Sequence, residues 1–225
     1  MSSARADILA RIRKALATPA PRPGHPPPSS PQRSATAAAR LALPPVGPSP
    51  DDWLNLFSKN SEELRTETRV LDDLDAASRF FANLVRSENW QHLASHRGTL
   101  TDALLASCTI PVTLTESSAG SSLEPCDAAL SECDALVAQT GSLVLTSRSA
   151  GGRALSVLPP HHIVIAKRQQ LVPDLPAAFD LLQSRYGQSW PSMTSFITGP
   201  SRTGDIERIL VLGAHGPKRL TILIC

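Results

Sequence analysis

Eleven of the chain's 20 prolines fall between Thr18 and Pro50, among serines and alanines and with few large apolar residues. Such a stretch buries too little surface to offset its ordering entropy, and each proline removes a backbone donor. Residues 18–50 therefore read as an extended linker of polyproline character. Packing is left to residues 51–225, which suffice for one well-buried core. Ahead of the linker, residues 1–17 form a separate segment. Ile8, Ile12 and Leu16 fall on one helical stripe, with Arg5, Arg11, Arg13 and Lys14 elsewhere. This amphipathic helix lacks an aromatic anchor, so its apolar face points to docking on its own domain or a sister subunit rather than on a membrane.

Composition narrows the class. No run of about 18 apolar residues is available to span a bilayer. The net charge is +2, with both signs interspersed, unlike the basic patch of a nucleic-acid binder. The opening residues lack the apolar core and cleavage site of a secretory signal. Their arginines resemble a transit peptide, against which Asp7 stands. Cys108, Cys126, Cys133 and Cys225 form no C-x-x-C pair, so neither a zinc ribbon nor a cysteine-ligated iron–sulfur cluster is expected in this chain. Sparse cysteines fit a reducing compartment, and the expected location is the cytoplasm.

From Asp51 onward the hydrophobic period switches repeatedly. Asp51 or Asp52 is the expected cap of a helix carrying Trp53, Leu54, Leu56 and Phe57. Strand character over Thr66 to Leu71, a helical face from Leu74 to Val85, a strand near His92 to Ser95, a helix over Leu100 to Ala106 and a strand over Ile110 to Thr115 follow. This alternation predicts βαβ units: an α/β fold with a mainly parallel sheet flanked by helices. Ala135 to Thr146 holds two strand-like runs meeting at Thr140-Gly141-Ser142, a bend, bulge or turn. Further strands are expected over Ile163 to Lys167, at Leu171-Val172, and over Phe196 to Thr198, Ile209 to Leu212 and Leu220 to Ile224. A helix starts at Pro173 or Asp174.

Three stretches carry candidate chemistry. Thr198-Gly199-Pro200-Ser201-Arg202-Thr203-Gly204-Asp205-Ile206-Glu207 leaves a strand and offers Ser201 or Thr203 as an N-cap. The free N–H groups of such a helix end accept a carboxylate or phosphate, with Arg202 as a further donor. The bland alternative is a capped turn in which Asp205 and Glu207 answer the helix dipole themselves. Gly213-Ala214-His215-Gly216-Pro217-Lys218 supplies an imidazole suited to acid/base work between two flexible glycines. In Leu158-Pro159-Pro160-His161-His162 the adjacent histidines point to opposite faces of a strand, so one of them is available to a site and a shared metal is not expected.

These stretches, together with Gln139-Thr140-Gly141-Ser142, resemble the LUD-domain family, of the lactate-utilisation protein C type, in the right order over the last ninety or so residues. The Ile8-Leu9-Ala10-Arg11-Ile12-Arg13 segment resembles the opening of such proteins. The chain departs from the family pattern at Gln139, Ser142 and Gly204. The resemblance implies a NagB/RpiA/CoA-transferase-like fold, whose relatives bind sugar phosphates, CoA esters or folates. It implies a non-redox subunit of an L-lactate-oxidising system, with the iron–sulfur clusters on partner subunits. On this reading a small anionic ligand, the iron–sulfur partner subunits or both bind at a cleft lined by Thr140, Gly141, Gly199, Pro200, Ser201, Arg202, Thr203, Gly204, Asp205, His215 and Gly216. Two alternatives stay open. One is a stand-alone acyl- or phosphate-handling enzyme using Glu116, Asp205 or Glu207 with His215. The other is an interaction protein that captures a partner through its tethered N-terminal helix.

Overall fold

The structure is a computed structural model, describing residues 3–17, 45–115, 123–203, 211–213 and 215–225. Helix α1, Ser3–Ala17, belongs to the first of two compact units, with Ile8 and Ile12 exposed. The prolines from Pro19 to Pro44 lie outside the described residues.

In the second unit the Gly47 carbonyl accepts the Trp53 indole N–H at 2.8 Å. Helix α2 runs Pro50–Glu63, and its cap is Ser49 rather than Asp51 or Asp52. Ser49 Oγ accepts the Asp52 N–H, and the Asp52 carboxylate accepts the Ser49 N–H in return. Asp52 is thus the far half of a capping box, and Pro50 fits the first turn because no N–H is needed there. The bonds from Ser49 hold the Asp52 carboxyl below its ordinary range.

Six strands form an all-parallel sheet in the order β1-β12-β7-β4-β2-β3: β1 Glu67–Val70, β2 Leu93–Ser95, β3 Val112–Leu114, β4 Ala128–Ser131, β7 His161–Ala166 and β12 Arg219–Ile224. Helices α3, Leu74–Ser87, and α4, Thr99–Leu105, cover one face. There Phe81, Leu104, Ile163, Ile165 and Leu223 pack together. The mainly parallel α/β architecture is the one expected.

The sequence pattern announces no strand at β4, although it lies well inside the sheet. Its sequence, Ala-Ala-Leu-Ser, lacks the β-branched residues that announce a strand, and small side chains suffice because both faces are covered.

A second sheet, in the order β8-β5-β6-β9, consists of β5 Ala135–Val137, β6 Ser142–Thr146, β8 Leu171–Val172 and β9 Thr194–Ile197. β5 and β6 are the antiparallel arms of a hairpin around Thr140-Gly141, so the turn reading of that stretch is the one observed. The inner face of this sheet supplies Leu136, Leu143 and Leu145, which pack with Val164, Leu220 and Ile222 of the large sheet and with Phe57 of α2. Its outer face is covered by α5, Leu175–Tyr186, capped by Asp174. The result is four layers, helix, sheet, sheet, helix, with the main apolar seam between the sheets. Strands β10, Arg202–Thr203, and β11, Val211–Leu212, form a small antiparallel pair.

Candidate functional site

Strand β7 separates its two leading histidines as the strand period requires. His161 sits on the helix-covered side, edge-on to Trp90, and its Nε2 bonds Thr221 Oγ1 at 2.8 Å. Thr221 donates to Glu67, so it accepts from His161 Nε2–H, leaving Nδ1 as a buried lone pair without a partner. Burial, with Arg219 nearby, lowers the His161 pKa to about 4. His162 points the other way. Its Nε2 shares a 2.8 Å hydrogen bond with Ser131 Oγ of β4, and burial, reinforced by His161 and His96, lowers its pKa to about 3. Both rings are neutral at pH 7.

His162 forms part of the wall of a cavity of about 180 Å³. Ser195 and Ile197 of β9 face it across the gap between the sheets, and Ser156 and Val157 close one side. The rest of the described lining comes from two of the stretches singled out above: Gly199, Pro200 and Ser201 from one, and His215, Gly216 and Pro217, followed by Leu220, from the other.

Backbone bonds explain why these segments meet. Ser201 N–H donates to Pro217 O and Gly213 N–H donates to Ser201 O, both at 2.9 Å. Pro160 O accepts the Lys218 and Arg219 N–H groups, fastening the loop to the lead of β7. His215 is exposed at the rim, and the wall is mostly apolar. No lysine, arginine or carboxylate is among the described lining residues, and none of the described residues form a group of three or more His, Cys, Asp or Glu able to hold a metal ion.

The expected cleft is therefore only partly assembled. Gly199, Pro200, Ser201, His215 and Gly216 are together at the cavity. Thr140 and Gly141 are not among its lining. Gly141, at φ +62°, packs on α2: an added Cβ would lie 2.8 Å from Ser61 N. Asn60 Nδ2 holds the same turn by donating to Ala138 O and Gln139 O. Thr140 Oγ1 is buried without a hydrogen-bond partner.

Arg202 also answers to the helix, donating from Nη2 to Leu64 O at 2.8 Å, and Gly199 lies against the same carbonyl. Arg202 and Thr203 form strand β10, which corrects the reading of Ser201 as a helix cap: a cap must be followed at once by helical residues. Gly204, Asp205, Glu207 and Glu116 lie outside the described residues, as do Ile209 and Ala214. A 2.8 Å bond between Ser142 Oγ and Thr198 Oγ1 ties the 139–142 stretch to the 198–203 stretch.

Sequence reasoning missed Ser131, Ser156 and Ser195. Ser131 was hidden by the unrecognised strand β4, and single serines elsewhere carry no periodic signal.

The LUD domain profile matches residues 54–225, which takes in both sheets and every described cavity residue. The chain is similar to Lactate utilization protein C 1 of Bacillus mycoides, 39% identical over 88 residues, a match spanning 38% of each chain. It is also similar to Lactate utilization protein C of Bacillus subtilis, 36% identical over 88 residues, 38% of this chain and 37% of that one. A further relative, from Halalkalibacterium halodurans, is 36% identical over 103 residues, 45% of each chain. The matches thus span less than half the length of these curated relatives. Among solved structures, a DUF162 family protein from Deinococcus radiodurans superposes with a TM-score of 0.62 at 20% identity, covering 79% of this chain and 99% of its own, a likeness of fold. A profile matching most of the chain, on a fold shared with that structure, makes this protein a member of the LUD-domain family.

Proposed function

We propose that this chain is a non-redox component of L-lactate utilisation that binds a small anionic ligand in the cavity beside His162 and works alongside iron–sulfur partner subunits. The observation that carries the reading is the convergence of the 158–162, 198–203 and 213–217 stretches on one cavity in a chain similar to proteins named for lactate utilisation. Separate stretches of chain held together by backbone bonds around a concave, mostly apolar space fit a ligand site better than independent packing needs.

In this reading His215 at the rim and Lys218, whose stem lies against Gly213, meet the charged end of the ligand. The backbone turn at Gly199–Ser201 forms the opposing wall. Electron transfer is assigned to the partners because the four cysteines, none in a C-x-x-C pair, offer no cluster-ligand set.

The test is lactate oxidation by the assembled system with and without this chain. Loss of turnover on omission, restored by adding the purified chain, is the expected result. Undiminished turnover without the chain removes the reading.

A further inference from the structure

Strand β1 ends the parallel sheet: among the described residues its one strand neighbour is β12, so its other edge is open. The Leu71 N–H donates to Ile224 O at 2.8 Å, which fixes the phase of the strand. Backbone groups alternate in direction along a strand, so Glu67, Arg69 and Leu71 turn theirs to β12 while Thr68 and Val70 turn theirs outward. Side chains alternate between faces as well. Glu67, which accepts from Thr221 Oγ1 at 3.3 Å, and Arg69, 5.9 Å over the Phe80 ring of α3, lie on the α3 face. Thr66, Thr68 and Val70 lie on the opposite face, where Thr68 Oγ1 shares a 2.8 Å bond with Ser61 Oγ of α2. One hollow of about 290 Å³ is nevertheless lined by Thr66, Glu67, Thr68 and Arg69 together, with Ser58 and Glu62 of α2. A hollow bounded by residues of both faces runs along the strand's edge, and β12 fills the other edge. The open edge of β1 therefore has room beside it.

Such an edge is commonly guarded by charge, because a second copy brings the same charge opposite it. β1 instead carries Glu67 and Arg69 two positions apart, both partly exposed and paired with each other at 2.7 Å. When two copies run antiparallel about Thr68, Glu67 of each faces Arg69 of the other. Registers centred on Glu67 or Arg69 set like charges opposite each other and are disfavoured. The backbone phase selects the same register. With its N–H and C=O outward, Thr68 exchanges both hydrogen bonds with the second copy's Thr68. The flanking Glu67 and Arg69 positions then become the non-hydrogen-bonded pairs, where side chains come closest. Val70, 41% exposed, stands opposite the second copy's Thr66.

We propose that β1 is a self-pairing edge: two copies of this chain join antiparallel through β1 about Thr68, carrying the parallel sheet of one copy into that of the next. This contact is independent of what the cavity beside His162 binds. A single strand pair buries less than the roughly 1,200 Å² at which stable interfaces begin, so the dimer is weak and forms as concentration rises. Its exposed charge pairs weaken further in high salt.

The experiment is sedimentation velocity of the full-length chain from about 1 to about 300 µM, the range over which a weak interface changes its occupancy. The sedimentation coefficient is expected to rise from monomer to dimer and no further. Glu67→Arg and Arg69→Glu each set like charges opposite each other and weaken self-association about tenfold. An equimolar mixture of the two variants restores association, because the two altered strands are complementary again. Thr68→Pro removes an outward N–H and no bond to β12, so it lowers association while circular dichroism shows the fold retained.

A chain that stays monomeric throughout, a dimer that the charge reversals leave intact, or folded variants whose mixture stays monomeric overturns the inference. Where a charge reversal unfolds the chain, Thr68→Pro decides: a dimer unchanged by it overturns the inference, and a folded monomer supports it.

Discussion

The turn at Thr140-Gly141 and the turn at Gly199-Pro200-Ser201 look alike in sequence, each a glycine following a threonine at the end of a strand. Both glycines have positive φ, and both lie against the C-terminal end of α2. They part company beyond that contact. The first turn is closed down by Asn60, whose amide bonds two successive carbonyls, and it ends its work there. The second passes α2, bonds to the 213–217 loop and becomes a cavity wall. A glycine turn thus signals close backbone approach, and only the surrounding bonds say whether it ends on a helix or goes on to line a cavity.

The largest effect that sharpens this contrast is on stability. Gly141→Val forces a branched side chain into positive φ and against the α2 backbone, a loss of about 3 kcal/mol, checked by denaturant unfolding. The protein that remains folded is expected to bind ligand normally. Gly199→Val meets the Leu64 carbonyl at 2.9 Å and is expected to lose stability and ligand affinity together. Equal loss of affinity in both variants would break the contrast.

Acid is the next perturbation. His161 and His162 are held neutral by burial, with pKa values near 4 and 3 against an ordinary 6.5. Below about pH 6.5 the unfolded chain takes up protons that the folded chain refuses, so stability falls progressively as pH drops toward 4 and 3. Thermal melts from pH 8 to pH 4 check this. His162→Gln is expected to flatten part of the slope, and a pH-independent melting temperature would contradict the buried neutral pair.

Asn60→Ala removes both amide bonds to the first turn while leaving two carbonyls to find water. The expected loss is about 1–2 kcal/mol with ligand affinity unchanged, measured by unfolding and by titration. The smallest stability effect belongs to His215→Ala, an exposed rim position, expected within about 0.5 kcal/mol of the parent.

The parallel sheet was legible because its helices and most of its strands carry clear periods, as in Leu74 to Val85 and Ile163 to Lys167. Strand β4 was not, since Ala-Ala-Leu-Ser has no β signature and is a strand only because neighbours cover both faces. The candidate site was half legible. Glycine, proline and histidine marked the 198–203 and 213–217 stretches, and the strand period correctly split His161 from His162. Nothing local distinguished the Gly141 turn from the Gly199 turn, because the difference lies in Asn60 and Pro217, far away in sequence. Arg202 reads in sequence as a further anion donor, and in the structure its Nη2 donates to Leu64 O just past the end of α2, a partner no local pattern announces.

The measurement that tests the account most directly is the dissociation constant for L-lactate in His215→Ala and Thr140→Ala side by side with the parent chain. The account predicts binding about tenfold weaker for His215→Ala and unchanged for Thr140→Ala. Weakened binding in Thr140→Ala with His215→Ala unaffected would contradict it, moving the site from the cavity beside His162 to the turn on α2.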